Sequence, residues 1–144
     1  AASMLLGCYP AENELGNVLQ VGESARAHIR CAPGNATNLA YYSEGGIGSS
    51  TVWFCFTCQT HEEGLKAAET YSSGVAMVAW DRTTPTEVVV GPQQLQTHWD
   101  IDPASDALCS EVQVRGQFYE FVLIDQRTCR CYFSSWAGSI PRER

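Results

Sequence analysis

Seven cysteines, Cys8, Cys31, Cys55, Cys58, Cys109, Cys129 and Cys131, run through nearly the whole of this 144-residue chain, and they constrain what it can fold into more than any other feature. Cytosolic chains rarely carry so many thiols without a metal or redox task, whereas small extracellular domains use them as staples. Cys55-x-x-Cys58 and Cys129-x-Cys131 together supply the four thiolates of a tetrahedral zinc site. Residues three apart in a β-prone run face opposite ways, however, so Cys55 and Cys58 are not expected to converge. Cys129 and Cys131 face the same way at roughly 6.5–7 Å between Cα atoms along a strand, which disfavours a mutual bridge, so each is expected to reach a different distant cysteine. A thioredoxin-type role would need a βαβ setting that the sequence does not show. The expectation is a framework of three disulfides using six of the seven cysteines, with about 105 pairing patterns left open, and no metal or cofactor.

Length and charge narrow the partners. A chain of this size forms one domain by default, and residues 1–144 are read as a single secreted, disulfide-rich domain. No apolar stretch approaches the roughly 20 residues of a spanning helix, so no membrane partner is expected. The formal charge of −7, a single lysine (Lys66) and scattered arginines disfavour a nucleic-acid partner held by its phosphates. The start at Ala1 is read as a mature chain whose leader has been removed. Asn35-Ala36-Thr37 is a glycosylation sequon in a Pro/Gly/Asn-rich stretch and agrees with secretion.

Apolar and polar residues alternate more strongly at period 2 than at the helical period, which predicts a sheet-dominated fold. Strands are expected at Ser24–Arg30, Thr51–Thr57, Val75–Trp80 and Glu87–Val90. Glu111–Arg115, Phe118–Ile124 and Cys129–Phe133 read as a three-stranded meander turning at Gly116 and again at Asp125–Thr128. One helix stands out. Thr60-His61-Glu62-Glu63 fits a capping box, Leu65, Ala68 and Tyr71 share a face, and Gly74 suits the left-handed residue after its end. The predicted fold class is α+β, one main helix packed on an antiparallel sheet.

Chemistry-bearing residues are sparse. Three histidines, His28, His61 and His98, stand among scattered carboxylates with no hydrolase, metalloprotease or nucleotide-binding signature. Arg26, His28 and Arg30, alternating on the first expected strand, would project from one face as an anion-recognition stripe or a solvated outer face. Asp100, Asp102 and Asp106 lack the central glycine and terminal glutamate of an EF-hand and read as a loop with Asx turns.

Phe118-Tyr119-Glu120-Phe121 resembles the Tyr-Glu-Trp strand of secreted fungal guanyl-specific ribonucleases, and Lys66-Ala67-Ala68-Glu69-Thr70-Tyr71 is similar to a helix segment there. The resemblance implies that Glu120 is a general base. That family carries its arginine and histidine downstream of the glutamate, whereas here 24 residues follow Glu120 without a histidine, so His28 or His98 would serve as the acid.

The size, the mature-looking start, Cys8 near it, the pairs Cys55/Cys58 and Cys129/Cys131, and a helix on an antiparallel sheet resemble the small secreted effector and avirulence proteins of plant-pathogenic fungi. In element make-up the chain looks most like the Leptosphaeria avirulence and suppressing family, without its Trp-Arg-x-Arg motif. The resemblance implies a secreted, non-enzymatic protein that binds a host or other extracellular protein, with Trp99, Tyr119, Tyr132 and Trp136 as candidate anchors. The alternatives are a ribonuclease-like protein and a carbohydrate-binding module.

Overall fold

The computed structural model describes residues 9–16, 21–46, 49–74, 76–80, 107–110, 113–115 and 118–137. In chain order they form β1 (Tyr9–Gly16), α1 (Glu23–His28), β2 (Thr37–Gly46), β3 (Ser49–Thr57), α2 (His61–Tyr71), β4 (Val78–Ala79), β5 (Ala107–Cys109), β6 (Gln113–Arg115), β7 (Phe118–Asp125) and β8 (Arg130–Ala137). The strands join one antiparallel sheet in the order β1-β2-β3-β8-β7-β5-β4, with β6 also on β7. The expected α+β class is therefore found, mostly as sheet, and the β6–β7–β8 meander is present. The strand expected at Glu87–Val90 lies outside the described residues.

Both faces of the sheet are buried. One face carries Val52, Phe54 and Phe56 of β3, Val122 and Ile124 of β7, and Cys131 and Phe133 of β8, covered by Ala25 and Ile29 of α1 and Ala67 and Ala68 of α2. The other carries Trp53 and Cys55, Phe121 and Leu123, Cys109 and Tyr132. Period 2 sorts these residues onto the two faces, and double burial explains the unbroken run Phe121-Val122-Leu123-Ile124.

α2 forms where the capping signal places it. Thr60 adopts extended backbone and its Oγ1 accepts the Glu63 N–H at 3.2 Å, satisfying one of the orphan donors of the first turn. Gly64, Ala67 and Ala68 face the sheet, and Gly74 takes φ +77 just past the end. A Cβ at Gly64 would stand 3.2 Å from Cys131 Sγ, so the missing side chain lets the helix approach β8.

Ser24–Arg30 is not a strand. The segment is α1, and its buried residues Val21, Ala25 and Ile29 recur every four positions while Ala27 is exposed. The alternation of Ala25, Ala27 and Ile29 with basic residues imitates period 2, but alanine favours a helix, and Glu23 in the first turn with Arg26 and His28 in the last complements its dipole. The expected disulfide framework is not formed in this structure: Cys31, Cys55, Cys58, Cys109, Cys129 and Cys131 are thiols.

Interruptions of the strand ladder shape the sheet. Between the pairs Thr37↔Thr57 and Ala40↔Cys55, two residues of β2 oppose one of β3, and Asn38 takes φ +52, a region asparagine tolerates better than most residues. On β7 the ladder is interrupted between the β5 pair Cys109↔Leu123 and the β6 pair Gln113↔Glu120. Ser110 holds that interruption: its N–H donates to Val122 O at 2.9 Å, and its Oγ accepts the Val122 N–H at 3.0 Å in place of a backbone carbonyl. Ser110→Ala is expected to leave that buried N–H without its acceptor and to lower stability by about 1–3 kcal/mol in urea unfolding.

Candidate functional site

Where α1 and the end of α2 meet the sheet, they leave a cavity of about 200 Å³. Its floor follows from the strand register, which aligns Val52 of β3, Ser135 of β8 and Glu120 of β7 in one row across the sheet. Phe54 continues the floor, Ala27, His28, Arg30 and Cys31 form the wall from α1 and the turn after it, and Thr70 and Tyr71 close the third side. A guanidinium, an imidazole and a carboxyl group thus share one cavity with an apolar base. Phe118, two residues before Glu120 on the same strand face, is 45% exposed and extends that base outward.

The electrostatics give each group a different capacity. The Tyr41 hydroxyl lies 3.2 Å from His28 Nδ1; when it donates, the ring carries its own proton on Nε2. Burial, and then the neighbouring Glu120 charge, push the Tyr71 phenol above its ordinary value, so Tyr71 stays protonated and can offer only a hydrogen bond. Burial pushes the Cys31 thiol up to about 12, which makes it a poor nucleophile. Because the ordinary thiol value is 9.0, the unfolded chain releases this proton first as pH rises. With Cys31 reduced, its contribution is constant below pH 9 and falls by about 1.4 kcal/mol per pH unit above it. Urea unfolding under reductant between pH 8 and 10.5 should show stability falling with pH, and Cys31→Ala should reduce the slope above pH 9 by about 1.4 kcal/mol per pH unit.

The structure brings together some of the residues singled out in the sequence and separates others. His28, Arg30 and Glu120 converge on the cavity, whereas Arg26 is exposed on α1 and does not line it. The stripe Arg26-His28-Arg30 does not exist as such, because its segment is helical and then turns. Tyr132 is 1% exposed on the opposite face and is no surface anchor, since its ring fills the second apolar cluster. Tyr119 is half-buried against that same cluster, and Trp136 lies in β8 opposite Thr51 and Tyr119. His98, Trp99, Cys8 and the aspartates at 100, 102 and 106 lie outside the described residues. Asn35 is exposed in the turn before β2, where a glycan would be accommodated. Cys55 and Cys58 fall on opposite faces, so no four-thiolate site is assembled from them, and among the described residues no group of three or more His, Cys, Asp or Glu side chains converges. No helix among them is long and apolar enough to cross a membrane.

Thr70, Tyr71 and Ser135 were not anticipated as site residues. Ser135 carried a signal: in β8, Cys131 and Phe133 are followed at the next inward position by a hydroxyl, and a polar residue on an otherwise apolar face marks where that face opens. Fold and site thus define an antiparallel α+β domain with a small charged cavity under its helices. Neither a protein-family model, nor a curated protein, nor a solved structure matches the chain.

Proposed function

We propose that this chain is a secreted recognition domain of the effector type, which acts by binding another protein in the extracellular space, and that the cavity under α1 and α2 takes the most specific contact. The observation that carries this reading is the size and lining of the cavity. At about 200 Å³ it is smaller than the roughly 300–1,000 Å³ of small-molecule sites and suits one side chain of a partner. An amphipathic side chain would lay its apolar stem on Val52 and Phe54 and present its polar head to Glu120 and Arg30, with exposed Phe118 making the adjoining contact. The test compares proteins captured from host extracellular fluid by wild type, Arg30→Glu and Phe118→Asp, each shown to be folded. A partner retained by wild type and weakened at least tenfold by both variants supports the reading. Equal retention by all three places the interface elsewhere.

A second reading is favoured by the same cavity, because Glu120 and His28 line it together with Arg30. General acid–base cleavage of RNA would use Glu120 as base, His28 as acid and Arg30 on the phosphate. It predicts hydrolysis of RNA by pure protein that falls by roughly 100-fold or more in Glu120→Gln. No hydrolysis by clean wild type removes this reading, and hydrolysis unchanged in Glu120→Gln assigns the activity to another group.

A further inference from the structure

The sheet sorts the cysteines. Cys55 and Cys109 lie on the face of Trp53 and Leu123, and the register Cys55↔Tyr132, Leu123↔Tyr132, Cys109↔Leu123 separates them by three strand spacings, about 14 Å. A disulfide tolerates no more than about 7 Å between Cα atoms, so these two cannot join each other. Cys31, Cys58 and Cys131 belong to the cluster on the opposite face, and Cys129 packs against it.

Within that group one pair is already in contact. Cys58 Sγ and Cys131 Sγ are 4.0 Å apart, from segments 73 residues distant in the chain. The Cys58 N–H donates to Cys129 O at 2.9 Å, which fixes the register between the end of β3 and the start of β8. Gly64 of α2 sits directly over Cys131, where a larger residue would push the helix or the sulfur aside.

We propose that Cys58 and Cys131 form a disulfide that ties the end of β3 to β8 beneath α2. The Cys58 thiolate attacks one sulfur of a small disulfide oxidant such as oxidised glutathione, forming a mixed disulfide and releasing one thiol. Cys131, as thiolate, then attacks the Cys58 sulfur and releases the second. The pair gives up two protons and two electrons, and the oxidant's S–S bond becomes two thiols. In the folded contact the hydrogen bond shared with Cys131 draws the Cys58 thiol below its ordinary value, and the same bond, then burial, holds Cys131 above it. Both residues are buried, at 4% and 0% exposure, so exchange takes place while the chain still opens, and the finished bridge is shielded from reductants. The proposal is independent of what the cavity binds.

The full chain, refolded in a glutathione redox buffer and alkylated, is digested without reduction by trypsin and chymotrypsin. Cleavage after Phe56 separates Cys58 from Cys55, and cleavage after Arg130 separates Cys131 from Cys129. A linked pair of peptides holding Cys58 and Cys131 is the expected result. Either residue joined instead to Cys31 or Cys129, or both recovered alkylated, overturns the assignment. Cys58→Ser and Cys131→Ser provide a second readout: each should lower Tm by roughly 10–15 °C, the double variant by no more than either single, and reductant should erase the difference. A Tm difference that persists in reductant also overturns it.

Discussion

Phe133→Ala should lower the unfolding free energy by about 3–5 kcal/mol, a third or more of what a domain of this size commonly has. Phe133 is fully buried at the crossing of three aromatic contacts. Its ring stacks on Phe54 at 4.7 Å and 13° between planes and on Phe56 at 5.2 Å and 27°, and meets Tyr71 edge-on at 5.0 Å. Truncation removes the buried ring and leaves a void between the sheet and α2 that those neighbours can close only in part. Urea unfolding checks it through a lower midpoint at an unchanged slope. Phe133→Leu, which keeps most of the volume, should cost about 1.5 kcal/mol or less. Because Phe54 and Tyr71 also line the cavity, the alanine variant should loosen that site before the fold is lost.

Arg130→Ala is expected to cost about 3–5 kcal/mol for a different reason, the loss of three hydrogen bonds from one buried charged group. The side chain is 6% exposed and its fork is committed in three directions. Nη1 donates to Asn38 O at 2.8 Å and to Thr57 Oγ1 at 3.1 Å, Nη2 donates to Cys55 Sγ at 3.1 Å, and the guanidinium lies 5.8 Å from the Tyr132 ring centroid. Asp125, directly across the ladder, is itself buried at 3% exposure. Removing the guanidinium strips the bulge at Asn38 of its clamp and leaves Asn38 O, Thr57 Oγ1 and Cys55 Sγ without their shared donor. Arg130→Lys cannot reproduce the planar fork and should recover only part of the loss. Thermal unfolding of both variants tests it, with a Tm fall of roughly 10–15 °C for alanine. A fall below about 3 °C would mean that the bulge holds without Arg130.

Much of the sheet was legible because its strongest strands announce themselves locally. Val52–Phe56 and Phe118–Ile124 are dense in aromatic and β-branched residues, and the capping signal at Thr60–Glu63 carries its own hydrogen-bond logic. β1 and β2 were not foreseen, since Pro10-Ala11-Glu12-Asn13-Glu14 and Ser43-Glu44-Gly45-Gly46 have weak strand preference and are placed by pairing. α1 was misread because six residues are too few for periods 2 and 3.6 to be told apart when half of the apolar positions are alanine. Glu120 and His28 were each singled out, but nothing local could show them in one cavity, which depends on where α1 settles over β7. The Ser110 Oγ bond to Val122 was invisible for the same reason, as it exists only between two paired strands.

α1 has a consequence for how such a domain changes over generations. A six-residue helix has little stability of its own and stays in place through Val21, Ala25 and Ile29, while Arg26 is exposed and Ala27, His28 and Arg30 are exposed along the cavity wall. Positions offered to the surroundings are thus separated from positions that hold the backbone. If that row meets a partner as proposed, substitutions along it would redirect what the domain meets while the interior is left alone, and the lineage would be free to explore new targets from an unaltered scaffold.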